Sequence, residues 1–270
     1  MSPAFLVAGA TGNTGRAVVT TLSELLKDNK TFAGYKILAL TSSSSGSAAQ
    51  QLARLPGVEV IEQNWVEITA EWLPRTPRRQ SFHRLTQRTQ PLCRRVDIPA
   101  RSSPCRRGPN VFTQLWMGPA AGLIKTFRET GKQEPLRLMA SEDAAVGPID
   151  SNEVGVFAAH LLATEDISRY NKAKYVLNGP EDITGTQIVD LVEKYIGTKV
   201  ENVIFKDMSF IDHAASQTQQ SKNVILSIKH APETAWDGKC GVATSSQEFL
   251  EIAPPKNTPA DILKNLLGDN

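Results

Sequence analysis

The residues best suited to chemistry lie in one short stretch, Gly9-Ala10-Thr11-Gly12-Asn13-Thr14-Gly15. Its three glycines have separate physical uses. The first permits a tight turn, the second lets backbone N–H groups approach a pyrophosphate, and the third lets a helix pack close on a strand. Asn13 and Thr14 add side-chain donors, and Thr11 stands inside the same turn. Such a pattern carries weight only between a strand and a helix. Both are predicted here. Phe5-Leu6-Val7-Ala8 is a short apolar run of the kind that forms a buried parallel strand. Val18, Leu22, Leu25 and Leu26 then recur on one helical face. The start of that helix presents free N–H groups and partial positive charge, which suits phosphate.

A second strand is predicted at Lys36-Ile37-Leu38-Ala39-Leu40, running into Thr41-Ser42-Ser43-Ser44-Ser45-Gly46-Ser47. An acid at that point would hold a ribose 2′-hydroxyl, and an arginine would accommodate a 2′-phosphate. This strand end has neither, since Arg54 lies on the next helix. The absent acid and the run of hydroxyls favour NADP(H) over NAD(H), with Thr41 and Ser42 as binding residues. A short helix over 48–55 and a third strand, Val58 to Ile61, follow. Asn64 stands just past that strand, within reach of an adenine ring or simply in a turn.

Other motifs lack the setting their chemistry requires. Tyr-x-x-x-Lys occurs as Tyr170…Lys174 and Tyr195…Lys199. Proton donation by such a tyrosine requires a helix beside the nicotinamide. Tyr170 falls in a polar turn, and Tyr195 belongs to the apolar stripe Ile188, Leu191, Val192, Tyr195, Ile196. The four histidines are isolated, and Cys240 stands alone, so no zinc site is predicted. Trp116 and Met117 lie on a predicted helix over 113–127 that could line a substrate pocket, although plain core packing suits them better.

The chain as a whole sets the class. It has 270 residues, 40% apolar and 21% charged, with a net charge of +2. That composition is globular. No apolar run reaches the ~20 residues of a membrane helix. With three cysteines there is no disulfide framework. No secretory leader is expected, and the predicted location is the cytoplasm.

The charge is unevenly spread. Ten of the fifteen arginines lie between Pro74 and Gly108, against a single acid, Asp97, and no lysine. The rest of the chain is therefore acidic. Five prolines punctuate the same stretch, so residues 74–108 are expected to lack regular structure. It reads as a basic arm for nucleic acid, as a loop, or as GC-rich coding DNA translated in the wrong frame. The last suits its composition best, and nucleic acid is not the expected partner. Further along, Thr184 with Gln187 forms a capping box, and Thr258-Pro259-Ala260-Asp261 opens a helix that Gly268 closes.

The glycine stretch resembles that of the NmrA-like branch of the atypical short-chain dehydrogenase/reductase superfamily. Asn64 stands where that family carries a polar residue, usually Asp. Pro109-Asn110-Val111-Phe112 looks like its Pro-Asn/Gly-x-Phe motif beside the nicotinamide. The stretches 150–159 and 175–180 resemble its late helix start and its late strand and turn. The resemblance implies an α/β fold: a Rossmann-type parallel sheet with helices on both faces and a small C-terminal α/β lobe. Residues 1–140 would form the NAD(P)-binding domain and 141–270 the substrate lobe. Implied cofactor-binding residues are Gly9, Thr11, Gly12, Asn13, Thr14, Gly15, Thr41, Ser42, Asn64, Pro109 and Asn110. The implied activity is an NAD(P)(H)-dependent oxidoreductase for a small organic molecule. The alternative is a non-catalytic NAD(P)-sensing regulator with a protein partner. Residues 74–108 stand where the family has its middle strands and its catalytic Tyr and Lys, and they contain neither residue type. The middle of the sheet and the catalytic centre are therefore expected to be missing.

Overall fold

β1 (Ala4–Ala8) is apolar along its whole length and lies between two parallel neighbours. In the computed structural model the described residues are 3–64, 68, 81–82, 111–166, 168–170, 173–217 and 225–269. β2 (Lys36–Thr41) pairs with β1 from Ala4↔Lys36 to Ala8↔Leu40. β3 (Val58–Glu62) pairs with β2 from Ile37↔Val58 to Thr41↔Glu62. On the opposite side β4 (Ser81–Phe82) pairs with β1 at Leu6 and Val7. The order β3-β2-β1-β4 reverses direction at β1, so the crevice that binds ligands in such sheets opens beyond its carboxyl end. This is the expected Rossmann-type α/β arrangement.

β4 corrects one expectation. Residues 74–108 were to lack regular structure and leave the sheet without its middle, yet Ser81–Phe82 supplies a fourth parallel strand. A strand this short is held by register with β1 rather than by any periodic pattern of its own. The remainder of 74–108 lies outside the described residues.

The chain divides into two compact units. The first comprises Met1–Cys105 and Ser151–Lys174, and the second Arg106–Asp150 and Tyr175–Asn270. Ser151–Lys174, late in the chain, therefore belongs to the first unit.

In the first unit, α1 (Asn13–Lys27) follows β1, and α2 (Ser47–Ala53) follows β2. The α1 face carrying Val18, Val19 and Leu22 packs on Phe5 and Val7 of β1 and on Ile37 and Ala39 of β2. Phe5 also meets Phe32 and Tyr35 at ring separations of 5.5 and 5.4 Å. Burying a side chain such as Phe5 stabilises by about 1.5–3 kcal/mol. Leu6 and Leu40, pointing the other way, are buried too, as parallel strands require. The late helix α4 (Ser151–Leu162) joins this core through Ala158, Ala159 and Leu162. It comes very close to α1, since a Cβ on Gly155 would lie 2.5 Å from the Thr14 carbonyl oxygen and 2.6 Å from the Ala17 Cβ.

In the second unit, α3 (Thr113–Thr130) buries Trp116, Met117, Ala120 and Ile124. Trp116 and Met117 are thus core residues. α5 (Gly185–Ile196) adds Ile188 and Val192, and the terminal helix Pro259–Leu267 adds Leu263. The predicted capping box at Thr184/Gln187 forms, and Thr258, at the predicted helix start, makes a second one with Asp261. Gly197 ends α5 at φ 73°, and Gly268 ends the terminal helix at φ 79°. A two-stranded parallel sheet, β5 (Leu136–Arg137) with β6 (Val203–Ile204), completes the unit together with α6 (Ser209–Gln217). In the stretch 175–180, likened to a late strand and turn, Leu177 makes a β-bridge. Next to it the fully buried Asn178 donates its amide to the Gly241 carbonyl, the Thr244 hydroxyl and the Ser245 hydroxyl.

Candidate functional site

The chain leaves β1 through Gly9, whose φ of 66° lies in the left-handed region that glycine alone enters at no steric cost. The Gly12 N–H then closes the turn onto the Gly9 carbonyl at 3.0 Å, and the Ala10 N–H is held by the Leu40 carbonyl at the end of β2. Gly12 is the N-cap of α1, with extended backbone and no side-chain capping bond. No acid occupies the first turn of α1 either. No side chain of the cap therefore competes for the N–H groups that open the helix, and their partial positive charge suits an anion. Asn13 is exposed, Thr14 is half-buried, and Gly15 is buried.

Gly15 has no room for a side chain. A Cβ there would meet the Gly9 carbonyl oxygen at 2.2 Å and the Ala10 Cα at 2.9 Å. The helix thus begins directly against the turn. A backbone turn of this form can hold a dinucleotide pyrophosphate.

Two of the predicted residues meet, one from the glycine turn and one from the end of β2. The Thr11 and Thr41 hydroxyls lie 3.0 Å apart. Thr41 is buried, and its hydroxyl donates to the Ser43 carbonyl and accepts from the Ser43 N–H. The glycine turn and the serine loop after β2 are therefore joined through one hydroxyl. Ser42 is exposed beside it. Asn64 is also exposed, two residues past β3, and its carbonyl accepts from the Gln63 amide. Pro109 and Asn110 lie outside the described residues.

Sequence reasoning missed Glu62. It finds no acid at the end of β2, but the β2–β3 register places Glu62 beside Thr41. The Glu62 carboxylate accepts from both the Ser44 hydroxyl, at 2.5 Å, and the Ser44 N–H, at 2.8 Å. Those two bonds, the hydroxyl first, hold the Glu62 carboxyl below the usual carboxylate range. Parallel pairing of β2 and β3 was the one available signal, and it required knowing both strand ends.

Tyr195 packs on the core of the second unit with the Arg128 guanidinium 5.7 Å over its ring. Lys199 is paired with Glu193 at 2.5 Å. Tyr170 ends a single 3₁₀ turn, Ser168–Tyr170, and Lys174 is exposed. Cys240 is buried, which raises its thiol pKa.

No protein-family model matches the chain, and no curated protein matches it in sequence. Solved structures do match its fold. An NADPH-dependent quinone oxidoreductase from Escherichia coli superposes with a TM-score of 0.62 at 12% identity, covering 98% of this chain and 99% of that one. The triphenylmethane reductase of Citrobacter sp., solved in complex with NADP(H), gives 0.53 at 14% identity, with 99% and 100% covered. An isoflavone reductase gives 0.51 at 11% identity, with 98% and 99% covered. These likenesses establish a Rossmann-type fold.

Proposed function

We propose that this chain is an NADP(H)-dependent oxidoreductase of the NmrA-like kind, acting on a small organic molecule in the cytoplasm. The observation that carries this reading is the glycine turn between β1 and α1. It combines a left-handed Gly9, a Gly15 with no space for a Cβ, and a helix start without a side-chain cap. It also lies where the strand order reverses. Gly9, Gly12 and Gly15 would shape the pyrophosphate cradle, with Thr11, Asn13 and Thr14 around it. Thr41, Ser42 and Asn64 would face the adenosine half, and Pro109 and Asn110 the nicotinamide. The neighbours named for NADPH or solved with NADP(H) support the choice of dinucleotide. Hydride transfer is the chemistry the nicotinamide supplies when bound, and the protein's part is to hold and orient it.

Thermal melting of the full chain with NADPH and with NADH tests the reading. Only ligand bound to the folded state stabilises, by about 2.7 kcal/mol at a hundredfold excess over Kd. NADPH is expected to raise the midpoint by about 5 °C or more. A midpoint unmoved by either dinucleotide overturns the proposal.

A further inference from the structure

We propose that Glu62 is a built-in competitor for the ribose 2′-phosphate, and so a residue that grades the choice between NADPH and NADH. This rests on the dinucleotide reading of the glycine turn. A 2′-phosphate needs hydrogen-bond donors on the loop after β2. Ser44 offers two, its N–H and its hydroxyl, and a single carboxylate oxygen, Glu62 Oε2, now accepts both.

The geometry ties this contact to the site rather than to the surface at large. Thr11 of the glycine turn meets Thr41, the Thr41 hydroxyl holds Ser43 through two bonds, and Ser44 is the next residue. The Ser43 and Ser45 hydroxyls flank it, 3.1 Å from each other. Glu62 reaches the loop because it ends β3 opposite Thr41, the last residue of β2.

The consequences for the two dinucleotides differ. A phosphate cannot take the Ser44 donors while a carboxylate holds them, because two anions would share one cradle. It must displace Glu62, and that displacement weakens NADPH binding. The other carboxylate oxygen, Oε1, receives no hydrogen bond from any described residue, so it can accept a ribose 2′-hydroxyl without disturbing Ser44. NADH therefore loses nothing to Glu62, or gains from it. Glu62→Gln removes the charge and keeps the shape, which separates the electrostatic contribution from packing.

Titration calorimetry on the full chain, with NADPH and NADH as separate probes, decides the matter. Glu62→Gln is expected to raise the ratio of NADPH to NADH affinity about tenfold, mainly by tightening NADPH. Ser44→Ala is expected to lower that ratio, since it removes one phosphate donor. The melting midpoint of each variant without dinucleotide verifies that it folds. If the wild-type chain binds both dinucleotides and Glu62→Gln leaves the ratio within about twofold, this inference fails and the dinucleotide reading stands. If the wild-type chain binds neither, the dinucleotide reading fails and takes this one with it.

Discussion

The Gly9 carbonyl oxygen stands where a Cβ on Gly15 would come within 2.2 Å of it. That contact is shorter than any real Cβ contact, and its partner is backbone that cannot rotate away. Gly15→Ala is therefore expected to push α1 off the turn. The cost should be about 1–3 kcal/mol, as for other overpacked sites. Dinucleotide binding should fall more than stability does, because the displaced N–H groups are the ones proposed to face phosphate. Chemical denaturation together with NADPH titration measures both. An unchanged affinity in a destabilised variant would separate the close approach from the cradle.

A second close approach backs the first turn of α1 from behind. A Cβ on Gly155 would meet the Thr14 carbonyl at 2.5 Å and Ala17 at 2.6 Å. Gly118, inside α3, has nothing within 4 Å of the same hypothetical atom. The same substitution should thus have opposite signs at the two positions. Gly155→Ala is expected to destabilise by about 1–3 kcal/mol. Gly118→Ala is expected to stabilise by up to about 1 kcal/mol, from helix propensity alone. Paired urea denaturation curves test the sign, and a destabilised Gly118→Ala would mean that packing exceeds propensity there.

What could be read from the sequence was what is local. The glycine turn lies within seven residues, and its strand and helix adjoin it, so its geometry followed from residue types. The capping box at Thr184 and the helix start at Thr258-Pro259 span a few residues each and followed in the same way. Contacts between distant residues did not follow. Glu62 meets Ser44 only because two strand ends fall in register. Gly155 became a close-packing site only when α4 was laid on α1, more than a hundred residues earlier. Ser81–Phe82 had no pattern of its own among prolines and arginines, and its strand conformation comes from β1 beside it. Trp116 and Met117 are the exception, since their apolar character alone favoured the core packing that the fold shows.

Asp150 is a buried carboxyl held by amides. It is 2% exposed, and its two oxygens accept from Gln114 at 2.5 Å and Asn257 at 2.7 Å. These bonds tie the start of α3 to the segment ahead of the terminal helix. Asp150→Ala would take that acceptor from two half-buried amides, and should cost about 1–3 kcal/mol. Asp150→Asn keeps the volume but presents its own donors, so it should recover only part of the loss. Denaturation midpoints for the two variants give the order, and an Asp150→Ala midpoint equal to wild type would show that water replaces the carboxylate.

The terminal helix should make stability depend on acid pH. The Thr258 hydroxyl, followed by its N–H, holds the Asp261 carboxyl below its usual range. A carboxyl depressed in the folded state stabilises fully above its unfolded value, about 3.9, and that stability is lost as pH falls through the folded value. Asp269, on the Arg128 guanidinium, is depressed as well and adds to the same slope. The melting midpoint is therefore expected to fall as pH drops below about 4. Thr258→Ala should cost about 1 kcal/mol at neutral pH, the usual loss for an N-cap. It should also flatten the acid slope, because Asp261 then titrates alike in both states. Asp261→Asn should flatten the slope while keeping most of the neutral-pH stability, since an amide oxygen can still accept from Thr258. A Thr258→Ala protein with the wild-type acid slope would place the linkage on Asp269 and the other carboxylates instead.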